Sequence, residues 1–251
     1  QERGININSD FLIYHSFESA VTAIRKGVLD GLTLSLPELS KFPDGLLSGP
    51  FVCNTIDGSA YVEFVLLGAR EGEIKEFKDL DGAKLSFYDD QDIDLAKIWF
   101  AAECEKEGIG NPSQIFNSAE SHQKLSATVL SVFFGKSDAC LVSRSGFESM
   151  AELNPQIAVK LFVVSSSPPI IPNLFAFRNN LGKSQKTNFY TEIQRLHESV
   201  PGEQVLNVFK TERMEGFTFE EIRRSIMLLK AWEAPSHDLL TEAVQLIKRY
   251  E

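Results

Sequence analysis

The densest group of ionisable side chains is the run "YDDQDID" at 88–94, which sets Asp89, Asp90, Asp92 and Asp94 between a strand-like segment and an amphipathic helical one. Carboxylates in that position answer to two chemistries. They complement the positive end of the helix and cap its free N–H groups, or they offer negative charge to calcium or a cationic ligand. A D-x-D-x-D-G calcium loop needs a central glycine that this run lacks. The residues that could hold an anion are Arg144, Lys124 and, when protonated, His122. Catalytic patterns are missing. "FFGKS" (133–137) and "LGKS" (181–184) end like a phosphate-binding loop, but Leu130 and Phe177 stand where the first glycine is required. No G-x-G-x-x-G, H-E-x-x-H or G-x-S-x-G occurs. His15, His122, His197 and His237 are scattered, and Cys53, Cys104 and Cys140 have no metal-like spacing and read as small packing residues. Neither a metal nor a cofactor is expected.

The elements that must position these groups follow from periodicity. "DFLIY" (10–14) reads as a strand, and Phe17, Ala20, Val21 and Ile24 fall on one helical face. Strands follow at "GLTLSL" (31–36), "YVEFVLLG" (61–68) and "KLSFY" (84–88), then a helix with Leu95, Ile98, Trp99 and Ala102 on one face. A second helix carries Leu125, Val129, Val132 and Phe133 and leads into the strand "DACLVS" (138–143). The tail is helical. Phe189, Ile193, Leu196 and Val200 share a stripe, Thr218 and Glu221 form a capping box, and "SHDLLTEAVQLIKRYE" (236–251) has an apolar stripe for its own chain or a partner.

One pattern is written twice. Gly27 and Gly135, and likewise Asp30 and Asp138, stand 108 positions apart, each pair joining an amphipathic helix to a buried strand. Glycine there suits the left-handed position after a helix. Alternating strands and helices, duplicated, predict two α/β lobes with mostly parallel sheets, helices on both faces and a helical C-terminal tail.

Composition narrows the function classes. With 251 residues, 43% hydrophobic and 24% charged, and 19 phenylalanines, the chain has ample core material for one large domain or two lobes. A net charge of −10 argues against nucleic acid and against anionic lipid. No apolar run approaches the roughly 18 residues of a membrane span, and no signal-peptide pattern opens the chain, as is equally expected of a processed or trimmed one, so the compartment stays open.

The segments "AIRKGVLDGLTLSLPEL", "FKDLDGAKLSFYDD", "NSAESHQKLSATVLSVFFGKSDACLVS" and "SSPPIIPNLFAFR" resemble the type II periplasmic solute-binding fold, in particular the phosphonate-binding receptors of ABC transporters. The resemblance runs from about Phe11 to Arg178 and implies a small-molecule ligand, a membrane permease as partner, a periplasmic or extracytoplasmic location, membrane-anchored or not, and no catalysis. It also implies "SAESH" as a serine and histidine step at a ligand-facing helix start. Two departures stand out. The family's first strand and helix have no counterpart ahead of "INSDFLIYHS", whether trimmed, lost or outside the chain as read. Where phosphonate binders set a Ser/Thr-rich turn, this chain has "YDDQDID", whose carboxylates repel a dianion.

The expected organisation is lobe one at 1–65 plus part of 170–251, lobe two at 80–168, and crossovers near 61–70 and 161–178. Ligands of open α/β sheets sit beyond the carboxyl ends of strands. The expected contacts in an interlobe cleft are therefore Ser16, Glu38, Tyr88, Asp89, Gln91, Ser121, His122 and Arg144, each of which could instead be a cap or a solvated loop residue. The leading expectation is a solute receptor for an ABC transporter. The alternatives are the sensor domain of a membrane signalling protein and an enzyme on the same fold.

Overall fold

The computed structural model describes residues 12–110, 112, 116–208 and 211–233. Within them the chain divides into two units, one holding residues up to Ala60 and Asn173–Arg224, the other Tyr61–Pro172 and the residues from Ser225 on. The first unit opens with α1 (Phe17–Arg25), β1 (Gly31–Ser35), α2 (Leu36–Lys41) and β2 (Leu47–Thr55). The second contains β3 (Phe64–Ala69), β4 (Lys84–Tyr88), α3 (Ile93–Lys106), β5 (Ser118–His122), α4 (Leu125–Phe133), β6 (Ala139–Ser143), α5 (Arg144–Leu153), α6 (Pro155–Lys160) and β7 (Leu161–Ser166). The first unit resumes with β8 (Asn173–Arg178), α7 (Lys183–Gln194), α8 (Val200–Val208) and β9 (Arg213–Phe217), before α9 (Phe219–Glu233). Residues 12–14 carry no regular structure, and the rest of the strand expected at 10–14 lies outside the described residues, as does the helix expected at 236–251.

Among the described residues each unit has one sheet, and the pairings are mixed rather than mostly parallel. The order is β1-β8-β2-β9 in the first unit, antiparallel throughout. In the second it is β5-β4-β6-β3-β7, parallel at β4–β5 and β4–β6 and antiparallel at β3–β6 and β3–β7. The cause is one inserted strand per sheet, together with β9 added antiparallel beside β2 in the first. β1 and β2 run the same way with β8 reversed between them, and β6 and β7 run the same way with β3 reversed between them. Both β3 and β8 are the first strand after the chain passes from one unit to the other. A β-α-β pattern fixes strand direction, but it does not say which strands are neighbours.

The duplicated stretch is one local structure built twice. Gly27 and Gly135 have φ of 70° and 69°. Gly27 N donates to Ile24 O at 3.1 Å and Val28 N to Ala23 O at 2.9 Å; Gly135 N donates to Val132 O at 3.0 Å and Lys136 N to Ser131 O at 2.8 Å. These two bonds satisfy carbonyls that a helix end leaves unpaired. Each aspartate then fastens its strand to a neighbour: Arg178 Nη2 donates to Asp30 Oδ1 at 2.8 Å, and Lys84 N to Asp138 Oδ2 at 2.8 Å. After the strand a serine caps the next helix, with Ser35 Oγ accepting from Glu38 N at 3.3 Å and Ser143 Oγ from Gly146 N at 3.2 Å. A side chain in the left-handed region costs about 1–2 kcal/mol. Gly27→Ala and Gly135→Ala are each expected to lower the unfolding free energy by about that amount in urea titrations, and unchanged midpoints in both would refute the caps.

In the second unit both faces of the sheet are buried. Val65, Leu67, Cys140 and Val142 face Val129 and Val132 of α4 and Ile157 of α6, while Phe87 meets Phe100 of α3 on the other side. The three cysteines are buried free thiols, and burial pushes Cys53 and Cys104 up to about 12. They are packing residues.

Candidate functional site

In the second unit β4, β5 and β6 run parallel and end together, with Tyr88 opposite His122 and Phe87 opposite both Ser121 and Leu141. Three helices start at that edge. Ser143 caps α5, but no side chain caps α3 at Asp92 or α4 at Lys124. The acidic turn fills the first of these openings. Asp89 N extends the ladder by donating to His122 O at 2.9 Å, and its Oδ2 accepts from Gln123 Nε2 at 2.5 Å. Asp90 Oδ1 accepts from Asp92 N at 3.0 Å. Burial raises the Asp90 carboxyl above its ordinary value, and burial together with the neighbouring Asp90 charge raises Asp92 to about 6.

The cationic side of this edge is sparse. Arg144 Nη2 donates to Glu63 Oε1 at 2.7 Å, and Arg144 N donates to Glu63 O at 2.7 Å. The guanidinium hydrogen bond holds the Glu63 carboxyl below its usual value and raises Arg144 in turn. His122 Nε2 lies 3.5 Å from Ser86 Oγ and 3.9 Å from Glu120 Oε2. Ser86 is itself a hub, 2.7 Å from Ser137 Oγ and accepting from Ser131 Oγ at 2.9 Å, with all three serines buried. Lys124 is exposed, and no ion pair of it is found among the described residues.

The eight expected contacts therefore separate. Tyr88, Asp89, Gln91, Ser121, His122 and Arg144 stand at or beside the ends of β4, β5 and β6. Tyr88 is half-buried over a small cavity shared with Phe64, Asp90 and Ser143; Gln91 and Ser121 are exposed. Ser16 and Glu38 belong to the first unit and serve as caps there. Ser16 Oγ accepts from Ser19 N at 3.2 Å, and Glu38 Oε2 accepts from Ser35 N and Ser35 Oγ at 2.8 and 2.9 Å. "SAESH" is the edge strand β5 of the described sheet rather than a helix start, and α4 begins three residues after His122. Sequence reading missed Glu63 and Ser86. The signal for Glu63 was a lone carboxylate inside the apolar run "YVEFVLLG", and for Ser86 a hydroxyl inside "KLSFY", since a buried polar group must find a partner.

A family model described as "ABC transporter, phosphonate, periplasmic substrate-binding protein" matches residues 2–221. Among curated proteins no sequence matches significantly. A Xanthomonas citri protein bound to ATP is 12% identical, with a TM-score of 0.64 over 100% of this chain and 90% of its own. A binding protein component of an ABC phosphonate transporter from Pseudomonas aeruginosa is 15% identical, with a TM-score of 0.58 over 93% and 83%. PhnD1 from Prochlorococcus marinus, in complex with methylphosphonate, is 15% identical, with a TM-score of 0.54 over 96% and 86%. At such identities these likenesses speak for the fold. No helix among the described residues is long and apolar enough to cross a membrane. The family match is to transport receptors, working outside the cytoplasm with a permease, and does not favour the sensor reading. With its two α/β units and the match over most of its length, the chain belongs to the periplasmic substrate-binding proteins of phosphonate-type ABC transporters.

Proposed function

We propose that this protein captures a small polar solute other than a phosphonate dianion at the strand ends of its second unit and delivers it to a permease, with no covalent step. One observation carries the ligand's charge: Glu63 already engages the Arg144 guanidinium at 2.7 Å, while Asp89, Asp90 and Asp92 stand at the start of α3. A helix N-terminus attracts an anion by about 0.3–1 kcal/mol at an exposed site. Two unit charges of like sign about 4 Å apart repel by about 4 kcal/mol at an effective dielectric near 20. The carboxylates outweigh the dipole. A cationic or polyhydroxylated solute meets the same turn favourably, with Tyr88, Gln91, Ser121 and His122 as its proposed polar contacts. The Prochlorococcus marinus neighbour carries methylphosphonate and the Xanthomonas citri one ATP, both anions. Lys124 and His122 at the uncapped start of α4 support the competing reading of an anion there.

Calorimetry separates the two. Methylphosphonate is expected to bind only weakly to the unmodified protein, and amines or polyols more tightly. Glu63→Gln combined with Asp90→Thr, which releases Arg144 and removes one carboxylate, should raise methylphosphonate affinity by about tenfold or more. Micromolar methylphosphonate binding by the unmodified protein would overturn the proposal.

A further inference from the structure

A second cavity is lined wholly by residues of the first unit. It has a volume of about 280 Å3 and is walled by Pro50, Phe51, Phe217 and Phe219, with Tyr190 of α7 and Ser48 supplying hydroxyls. It sits where β2 and β9 pair through Phe51 and Phe217, towards the opposite end of β2 from its last residue, Thr55. Phe51 and Phe217 are 3% and 9% exposed, so their rings are fixed by packing. Tyr190 lies so close over Gly216 that a Cβ added there would fall 1.7 Å from its hydroxyl oxygen. Glycine at 216 is thus what lets the phenol reach the wall.

The charges beside the cavity are already engaged. Lys186 Nζ donates to Ser48 Oγ at 2.7 Å and to Asn179 O at 2.8 Å. Glu221 accepts from Thr218 N at 2.8 Å and from Thr218 Oγ1 at 2.7 Å. No hydrogen bond of the Tyr190 hydroxyl is found among the described residues.

We propose that this cavity is a binding site for a flat, uncharged ring compound that hydrogen-bonds Tyr190. Aromatic walls favour a π-face over a flexible chain. A cation entering here would find no carboxylate in the wall, and an anion could meet the Lys186 ammonium only by breaking its bonds to Ser48 and Asn179. The volume lies just below the range of ligand pockets, about 300 to 1,000 Å3, and limits the occupant to one or two rings. None of its lining residues is among those proposed to contact the solute at the strand ends.

The probe is 1-naphthol, titrated into the full chain and followed by its fluorescence, with 1-naphthoate as the charged control. One saturable site is expected, weakened about fivefold by Tyr190→Phe, the equivalent of one lost hydrogen bond. Phe219→Ala should weaken it about tenfold or more through lost ring contact, and 1-naphthoate should bind at least about tenfold less tightly. Thermal melts confirm that each variant folds; if Phe219→Ala does not, Tyr190→Phe decides. Absence of saturation, equal affinity in the folded variants, or equal binding of 1-naphthoate would overturn the proposal.

Discussion

Phe100→Ala is expected to lower the unfolding free energy by about 3–5 kcal/mol, the range for removing a large aromatic ring from a core. Phe100 is 2% exposed and is the meeting point of three other rings: Phe77 at 5.4 Å, Phe87 at 6.1 Å and Phe116 at 5.7 Å. Its removal leaves a cavity and forfeits each of these contacts, which add to the area term. It also matters where Phe100 sits. It belongs to α3, and Phe87 to β4, so their contact clamps the two elements between which the acidic turn 89–92 is strung. The variant should therefore lose cooperativity first around that turn. Urea unfolding followed by tryptophan fluorescence measures the loss, since Trp99 is buried beside Phe100. A change below about 1 kcal/mol would mean the ring cluster contributes little beyond ordinary surface contacts.

Asp92→Asn is expected to stabilise the protein at neutral pH by about 2 kcal/mol and to leave it nearly unchanged in acid. Burial and the Asp90 charge hold the folded Asp92 carboxyl at about 6, above its ordinary 3.8, so folding favours the protonated form. The stability this group contributes is fully present below the unfolded-state value of 3.8 and is lost as pH rises through about 6. Asparagine keeps the shape without the charge, and no side-chain cap bond is lost, since the Asp92 side chain makes none to α3. The gap between variant and parent should accordingly open between about pH 4 and 7. Other carboxylates, Glu63 among them, shift the opposite way and tilt the parent's own profile, which is why the difference between the two proteins is the quantity to follow. A gap independent of pH would remove the charge argument.

Helix faces are legible in the amino-acid order because their period is local. Ala20, Val21 and Ile24 are buried on α1 and Leu95, Trp99 and Ala102 on α3, where their spacing sets them. Strand β2 is not legible, because "LSGPFVCNT" carries Gly49 and Pro50 and reads as a turn. The ladder to β8 does jump there, from Ser48–Phe177 to Val52–Phe175. The stripe of Phe189, Ile193, Leu196 and Val200 fails as one helix. α7 stops at Gln194, a 3-10 turn covers Leu196–Glu198, and α8 starts afresh at Val200 with Pro201 in its first turn, where proline is tolerated; Val200 is 67% exposed. At the strand ends, the acidic turn and His122 stand out as residue types, but their engagements do not. Arg144 reads as an anion hook until Glu63, 81 residues earlier, is folded against it. Pairings over that distance belong to tertiary structure, which composition and periodicity do not report.

The duplicated clasp has an uneven reach along the chain. Lys84 and Asp138 are 54 residues apart, whereas Asp30 and Arg178 are 148 apart. Closing the longer loop costs about 0.9 kcal/mol more in chain entropy, a small difference in equilibrium but a large one in timing. When the chain emerges N-terminus first, all five strands from β3 to β7 come out in one stretch and can seal their sheet at once. β1 and β2 emerge earlier and then wait for β8, which must slide between them in the reverse sense. The unit that begins the chain is the last to be completed. From the emergence of Thr55 until that of Arg178 β1 and β2 are both unpaired, and β2 keeps an open edge until β9 ends at Phe217, an interval in which an incomplete copy is most exposed to pairing with a neighbour.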